Sequence, residues 1–203
     1  MYSAILLAAG KGTRYKETKQ DVLFHDKPLW KYAYDTASEV IEKQRIITVG
    51  KDIEGGATRT ESVLNGLLAL PKDTSRVIII EAARPMVTKE QILQLLNNEN
   101  ESVTFVRPLV NTVIYRNGTY INRDELYELL TPQAFDYNLL LQAYLSGKFK
   151  DVTDETRIMF EFHNIRPHFI EVDTNNLFKV TYPGDLNIIE SIYKEQRKII
   201  TEE

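Results

Sequence analysis

Leu6 to Lys19 reads LLAAGKGTRYKETK. The apolar run Ala4-Ile5-Leu6-Leu7 predicts a buried strand, and Ala8-Ala9-Gly10 breaks it into a loop with two glycines, Gly10 and Gly12, and three cations, Lys11, Arg14 and Lys16. Such a loop is suited to phosphates. Glycine lets backbone N–H groups come close to an anion, successive amides form a concave nest, and Lys and Arg supply charge as the phosphates lose water. A plain strand-to-loop turn with solvated lysines would carry a bare Gly-x-Gly as well. Two features weigh for the phosphate reading: the loop follows the first strand, and further cationic motifs answer it downstream.

At 203 residues the chain suits one domain, 1–203, large enough to bury a full core. A formal charge of -4 argues against a general nucleic-acid binder, so local basic sites must do any anion binding. With no cysteine there is neither a disulfide nor a thiolate metal site. His25, His163 and His168 stand in no metal-ligand spacing. The N-terminal apolar run is too short to span a bilayer and lacks a basic leader, so a cytoplasmic protein without a membrane partner is expected.

Outward from the loop, strand and helix signals alternate. Pro28 to Glu42 sets Trp30, Ala33, Ala37, Val40 and Ile41 at helical spacing, Ile46 to Val49 is a β-branched run ended by Gly50, and a second helix follows Thr58-Arg59-Thr60-Glu61. Arg76 to Ile80 is an unbroken β-branched strand, the mark of burial on both faces, and it delivers Glu81-Ala82-Ala83-Arg84-Pro85 to its carboxyl end. A helix from Lys89 to Asn97 and a strand at Val103 to Val106 continue the alternation. The pattern predicts a doubly wound, mostly parallel α/β sheet, in which ligands collect beyond the carboxyl ends of the strands. From Pro108 to Asn122 the residues alternate around Asn117-Gly118, which predicts a β-arm at about 108–123. Thr131-Pro132-Gln133 reads as a break before a helix closed by Gly147. Thr153-Asp154-Glu155 reads as a helix start, His168 to Val172 and Phe178 to Thr181 as strands, and Pro183 as the opening of a terminal amphipathic helix.

Taken in order, these pieces resemble the cytidylyltransferases that act on sugar and polyol phosphates, the 2-C-methyl-D-erythritol 4-phosphate cytidylyltransferase family. The resemblance rests on Leu7 to Arg14, Lys19-Gln20, Gly55 to Val63, Glu81 to Pro85, Thr131 to Phe135, Thr153-Asp154-Glu155, and Lys179-Val180-Thr181 before Pro183-Gly184-Asp185-Leu186. It implies a Rossmann-like nucleotidyltransferase that joins CMP from CTP to a polyol phosphate with release of pyrophosphate. Arg14 and Lys19 would serve the triphosphate and Lys179 the α-phosphate. Ala8, Ala9, Gly10, Gly12, Gly55, Gly56 and Ser62 would hold the nucleotide, with Arg59 as support behind the base. Arg84, Arg123, Thr131 and Thr153 would grip the acceptor, Arg123 reaching across from a partner's arm in a homodimer. Glu81 stands where most relatives place Asp to hold Mg²⁺, and a salt bridge to Arg84 is its structural alternative. Asn111-Thr112-Val113-Ile114 departs from the Asp-Thr-x-Lys of many relatives, and Val49 to Gly55 holds only a turn where they fit a helix and a strand.

Two alternatives share the motifs: a ribitol 5-phosphate cytidylyltransferase, and a non-catalytic nucleotide-binding homologue. A dinucleotide-binding oxidoreductase does not, because Gly12 is followed by Thr13-Arg14-Tyr15 and not by the third glycine position of GxGxxG.

Overall fold

The computed structural model describes residues 1–10 and 21–202. In chain order the elements are β1 (Tyr2–Leu7), β2 (Leu23–Phe24), β3 (Lys27–Pro28), α1 (Leu29–Ser38), β4 (Ile46–Val49), α2 (Arg59–Ala69), β5 (Arg76–Glu81) and α3 (Lys89–Leu96). They continue with β6 (Ser102–Pro108), β7 (Val113–Ile114), β8 (Tyr120–Ile121), β9 (Tyr127–Asp136), α4 (Tyr137–Leu145), α5 (Glu155–His163), β10 (His168–Glu171) and α6 (Leu186–Glu202).

Six strands form one sheet in the order β10-β6-β9-β5-β1-β4. β1 pairs in parallel with β4 and β5, and β10 in parallel with β6. The reversed strand is β9, antiparallel to both β5 and β6. Burial of both faces follows from the side chains. On β1 and β5, Ala4, Leu6, Ile78 and Ile80 pack into a core shared with Ala33 of α1 and Leu95 of α3, while Ile5, Val77 and Ile79 face a second core with Val63 of α2, Leu140 of α4 and Ile158 of α5. Successive residues of a strand point to opposite faces, so an unbroken apolar run demands helices on both sides.

The sequence reading needs correcting in two places. Thr131-Pro132-Gln133 is no break before a helix but the middle of β9, a strand inside the sheet. Proline is tolerated there because the β6–β9 register jumps from Thr104↔Gln133 to Phe105↔Leu130, leaving Thr131 and Pro132 unpaired in a bulge that asks for no N–H. The Thr131–Pro132 peptide is cis. Phe178 to Thr181 forms no strand either. It is an irregular segment held by the Val180 N–H donating to Ala83 O at 2.8 Å, with the Thr181 and Tyr182 N–H groups donating to Asp185 Oδ2.

β7 and β8 pair as a two-stranded hairpin about Asn117-Gly118, where the Gly118 N–H donates to Tyr115 O at 2.9 Å. Ile114, Tyr115 and Tyr120 are exposed on it. Between β4 and Gly55 lies only a turn, closed by the Gly50 N–H donating to Ile53 O at 2.7 Å. Gly50 has φ +97°, and a Cβ there would sit 2.8 Å from the Ala8 carbonyl carbon, so glycine is needed for this turn to back the end of β1. Among the described residues no helix is long and apolar enough to cross a membrane.

Candidate active site

Beyond the carboxyl ends of β1 and β5 lies a cavity of about 310 Å³. It gathers the end of the first strand (Leu7, Ala9, Gly10), the start of α2 (Gly56, Ala57, Thr58, Arg59, Ser62), the end of β5 (Glu81, Ala82, Ala83) and Lys179. Each reaches it for a local reason. The Ala8 N–H donates to Val49 O at 2.9 Å, which carries the β1–β4 ladder to the rim. Thr58 caps α2 by accepting from the Glu61 N–H at 3.1 Å, and Glu61 Oε2 accepts from the Ala57 N–H at 2.6 Å. The helix thus opens into the cavity with its positive dipole end.

Gly55 and Gly56 pack where no side chain fits. A Cβ on Gly55 would lie 2.4 Å from Ala9 Cβ, and one on Gly56 2.2 Å from Glu61 Cβ. The Gly56 N–H donates to Ser62 Oγ at 3.0 Å, while that hydroxyl donates to Thr58 O at 2.9 Å. Ser62 therefore braces the loop with its proton and one lone pair, and keeps its second lone pair for another donor.

Glu81 is the electrostatic centre. Its Oε2 lies 2.5 Å from Lys179 Nζ and its Oε1 3.6 Å from Arg59 Nε. Burial pushes its carboxyl up, but the charges of Lys179 and Arg59 outweigh burial and hold it below the ordinary carboxylate range. Arg59 in turn gives its two terminal nitrogens to Glu155, Nη1 to Oε1 at 2.5 Å and Nη2 to Oε2 at 2.8 Å. Glu155 is fully buried, and the Tyr144 hydroxyl donates to its Oε1 at 3.0 Å. Burial opposes charge on Arg59, but Glu155 more than compensates and raises its pKa; burial and Glu155 together push the Tyr144 hydroxyl up.

Arg84 is not a wall of the cavity. It is buried, with Nε donating to Thr131 Oγ1 at 2.8 Å and Nη1 to Leu177 O, and burial lowers its pKa against the pull of Glu81. The β9 bulge aims Thr131 at it. Glu81 thus makes its ion pairs with Lys179 and Arg59, whereas Arg84 stays beside Thr131. Thr153 is exposed just before Asp154, which caps α5 and accepts from Gln133 Nε2 at 2.7 Å. Arg123 is exposed at the base of the hairpin and donates to Val110 O. Gly12, Arg14 and Lys19 lie outside the described residues.

Sequence reasoning gave Glu155 and Tyr144 no part in the site. The signal for Glu155 was its place directly after Thr153-Asp154, while nothing in the order of residues marks Tyr144, which meets it only through the packing of α4 on α5. Among the described residues no group of three or more His, Cys, Asp or Glu could hold a metal, so Glu81 is the lone carboxylate at the cavity wall.

Residues 2–195 match the family model described as 2-C-methyl-D-erythritol 4-phosphate cytidylyltransferase. Curated relatives bearing that name include one from Clostridium botulinum, 31% identical across 95% of this chain and 97% of its own length, and one from Thermotoga neapolitana, 32% identical across 98% and 100%. Among solved structures, the crystal structure of the 4-diphosphocytidyl-2C-methyl-D-erythritol synthase of Anaerococcus prevotii is similar, with a TM-score of 0.78 and 27% identity over 96% of this chain and 98% of that one. These matches show that the chain belongs to the 2-C-methyl-D-erythritol 4-phosphate cytidylyltransferase family of nucleotidyltransferases.

Proposed function

We propose that the chain transfers the cytidylyl group of CTP to 2-C-methyl-D-erythritol 4-phosphate and releases pyrophosphate, within one catalytic domain spanning 1–203. The observation that carries this reading is the meeting of Lys179, Arg59, Glu81 and the Ala9-Gly10 bend around one cavity at a strand end. An acceptor phosphate oxygen attacks the α-phosphorus of CTP, the bond from that phosphorus to the oxygen bridging the α- and β-phosphates breaks, and pyrophosphate leaves with the electron pair. Such a reaction asks for alignment and charge neutralisation more than for covalent work by the protein.

The Ala8 to Gly10 backbone, Gly55, Gly56 and the remaining lone pair of Ser62 receive the cytosine end. Gly12, Arg14 and Lys19 attend the triphosphate. Lys179 exchanges Glu81 for the α-phosphate as charge builds there. Thr153 meets the acceptor, joined by Arg123 from a second copy in a homodimer formed through the 108–123 arm, and the buried Arg84 and Thr131 serve the acceptor from behind this contact. Glu81 fits Mg²⁺ as a carboxylate at the cavity wall whose Oε2 is held by Lys179 Nζ at 2.5 Å and is released as that lysine turns to the α-phosphate, and one carboxylate plus substrate phosphates is the usual way this ion is held. Bound there, Mg²⁺ would neutralise phosphate charge. A cytoplasmic setting suits these small phosphorylated substrates.

Pyrophosphate release with CTP, Mg²⁺ and a panel of acceptors tests the reading. 2-C-Methyl-D-erythritol 4-phosphate should support turnover, and Lys179→Ala should lower kcat far more than it weakens acceptor binding. Turnover with ribitol 5-phosphate alone would overturn the acceptor, and CTP binding without product from any acceptor would overturn the enzyme.

A further inference from the structure

Arg59 carries a buried Nε–H that has no hydrogen-bond partner, although a carboxylate oxygen of Glu81 lies only 3.6 Å away. A guanidinium can present a two-nitrogen edge to a carboxylate, and a bidentate pair with Glu81 would satisfy the Arg59 Nε–H and compete with Lys179 for that carboxylate. Glu155 holds Nη1 and Nη2 at 2.5 and 2.8 Å, and so anchors the guanidinium where its Nε stays 3.6 Å from Glu81. Glu155 is itself fixed. Tyr144 donates to it from α4, and it lies in the first turn of α5, whose cap Asp154 is tied to Gln133 on β9.

We infer that Glu155, supported by Tyr144, is a positioning residue of the reaction: by occupying the terminal nitrogens of Arg59 it keeps that guanidinium from closing on Glu81, so that Glu81 keeps an oxygen available to the cation and its charge available to Lys179. Without Glu155 the arginine has one carboxylate left in reach, and a short turn of its side chain brings it there. This inference rests on the reading of Glu81 as the ligand of the divalent ion.

The test is Mn²⁺ binding in the presence of saturating CTP and no acceptor, followed by the electron paramagnetic resonance signal of unbound Mn²⁺, with CTP binding and thermal melting recorded for each variant. Glu81→Ala establishes whether Glu81 holds the ion. Glu155→Gln should weaken Mn²⁺ binding by about tenfold or more, the scale seen when a group orienting a metal ligand is lost. The double variant Arg59→Met/Glu155→Gln, which removes the arginine that would close on Glu81, should regain most of the wild-type Mn²⁺ affinity. Tyr144→Phe leaves the ion pair in place and should weaken Mn²⁺ binding less than Glu155→Gln does; should Glu155→Gln fail to fold, it becomes the reporter. Weakening in Glu81→Ala with none in Glu155→Gln, or in Tyr144→Phe where that variant stands in, overturns the positioning role. So does a double variant no better than Glu155→Gln, since a purely structural ion pair would give that result. No effect in Glu81→Ala overturns the ligand assignment itself, and the inference with it.

Discussion

Gly56→Ala is the sharpest probe of how the nucleotide loop is built. The added Cβ would stand 2.2 Å from Glu61 Cβ, and 2.9 Å from both Glu61 C and Ser62 N. Ordinary contact begins at 3.4 Å, so 1.2 Å (3.4 less 2.2) must be found by moving backbone at the start of α2. That shift opens the 3.0 Å bond from the Gly56 N–H to Ser62 Oγ and the 2.6 Å bond from the Ala57 N–H to Glu61 Oε2. Overpacking of this kind costs about 1–3 kcal/mol, and each kcal/mol lowers the Tm of a chain this size by about 2–4 °C. A loop displaced with the loss of these two hydrogen bonds should weaken CTP binding by about tenfold. Gly184→Ala, where a Cβ would meet no heavy atom within 4 Å, is the control and should be neutral within about 0.5 kcal/mol. Thermal melting and CTP calorimetry on both variants decide it. If Gly56→Ala matches Gly184→Ala in Tm and in CTP affinity, the close packing of the loop on α2 is refuted.

Arg59→Met leaves a fully buried Glu155 with only the Tyr144 hydroxyl, and should lose about 3–5 kcal/mol in urea unfolding; a loss below about 1 kcal/mol would show that the carboxylate finds other company. Lys179→Met removes the largest charge holding the Glu81 carboxyl below its ordinary 4.5. A lowered carboxyl stabilises the fold above the unfolded-state value and ceases to as pH falls through the folded one. The stability gap between wild type and Lys179→Met should therefore be full where the variant's Glu81 is ionised and narrow on acidification as that carboxyl takes up its proton; a gap that widens with acid would contradict the pairing. Arg123→Ala should raise the acceptor KM with CTP affinity little changed, and selective loss of CTP binding would contradict the acceptor role.

The sheet was legible wherever burial left one signature per strand. Val77 to Ile80 announced a two-faced strand because flanking strands and two helical layers leave no place for a polar residue along it. Gly55-Gly56 and Thr58 announced a tight loop and a helix cap through steric and hydrogen-bonding rules that act within a few residues. β9 was hidden for the opposite reason. Pro132 argues against an inner strand unless a bulge excuses it, and that bulge is a property of the pairing with β6, far off in sequence. Phe178 to Thr181 looked like a strand because Val180 and Thr181 favour one, yet the segment finds its backbone partners at Ala83 and Asp185. Lys179 and Glu81 were named from motifs, but their contact, and the Arg59–Glu155 pair behind it, became visible only when four remote segments were brought together.

The reversed direction of β9 has a consequence for how acceptor choice can change. The chain leaves the sheet after Pro108 and rejoins it at Tyr127, and these two residues are partners in the β6–β9 ladder. The excursion between them is thus sealed at its neck, like a bracket bolted to a frame. Its eighteen residues (126 less 108) can be lengthened, shortened or exchanged for another family's without slipping a single rung of the sheet, while Thr131 stays aimed at Arg84. An exchange of the part played by Arg123 would touch that insert alone.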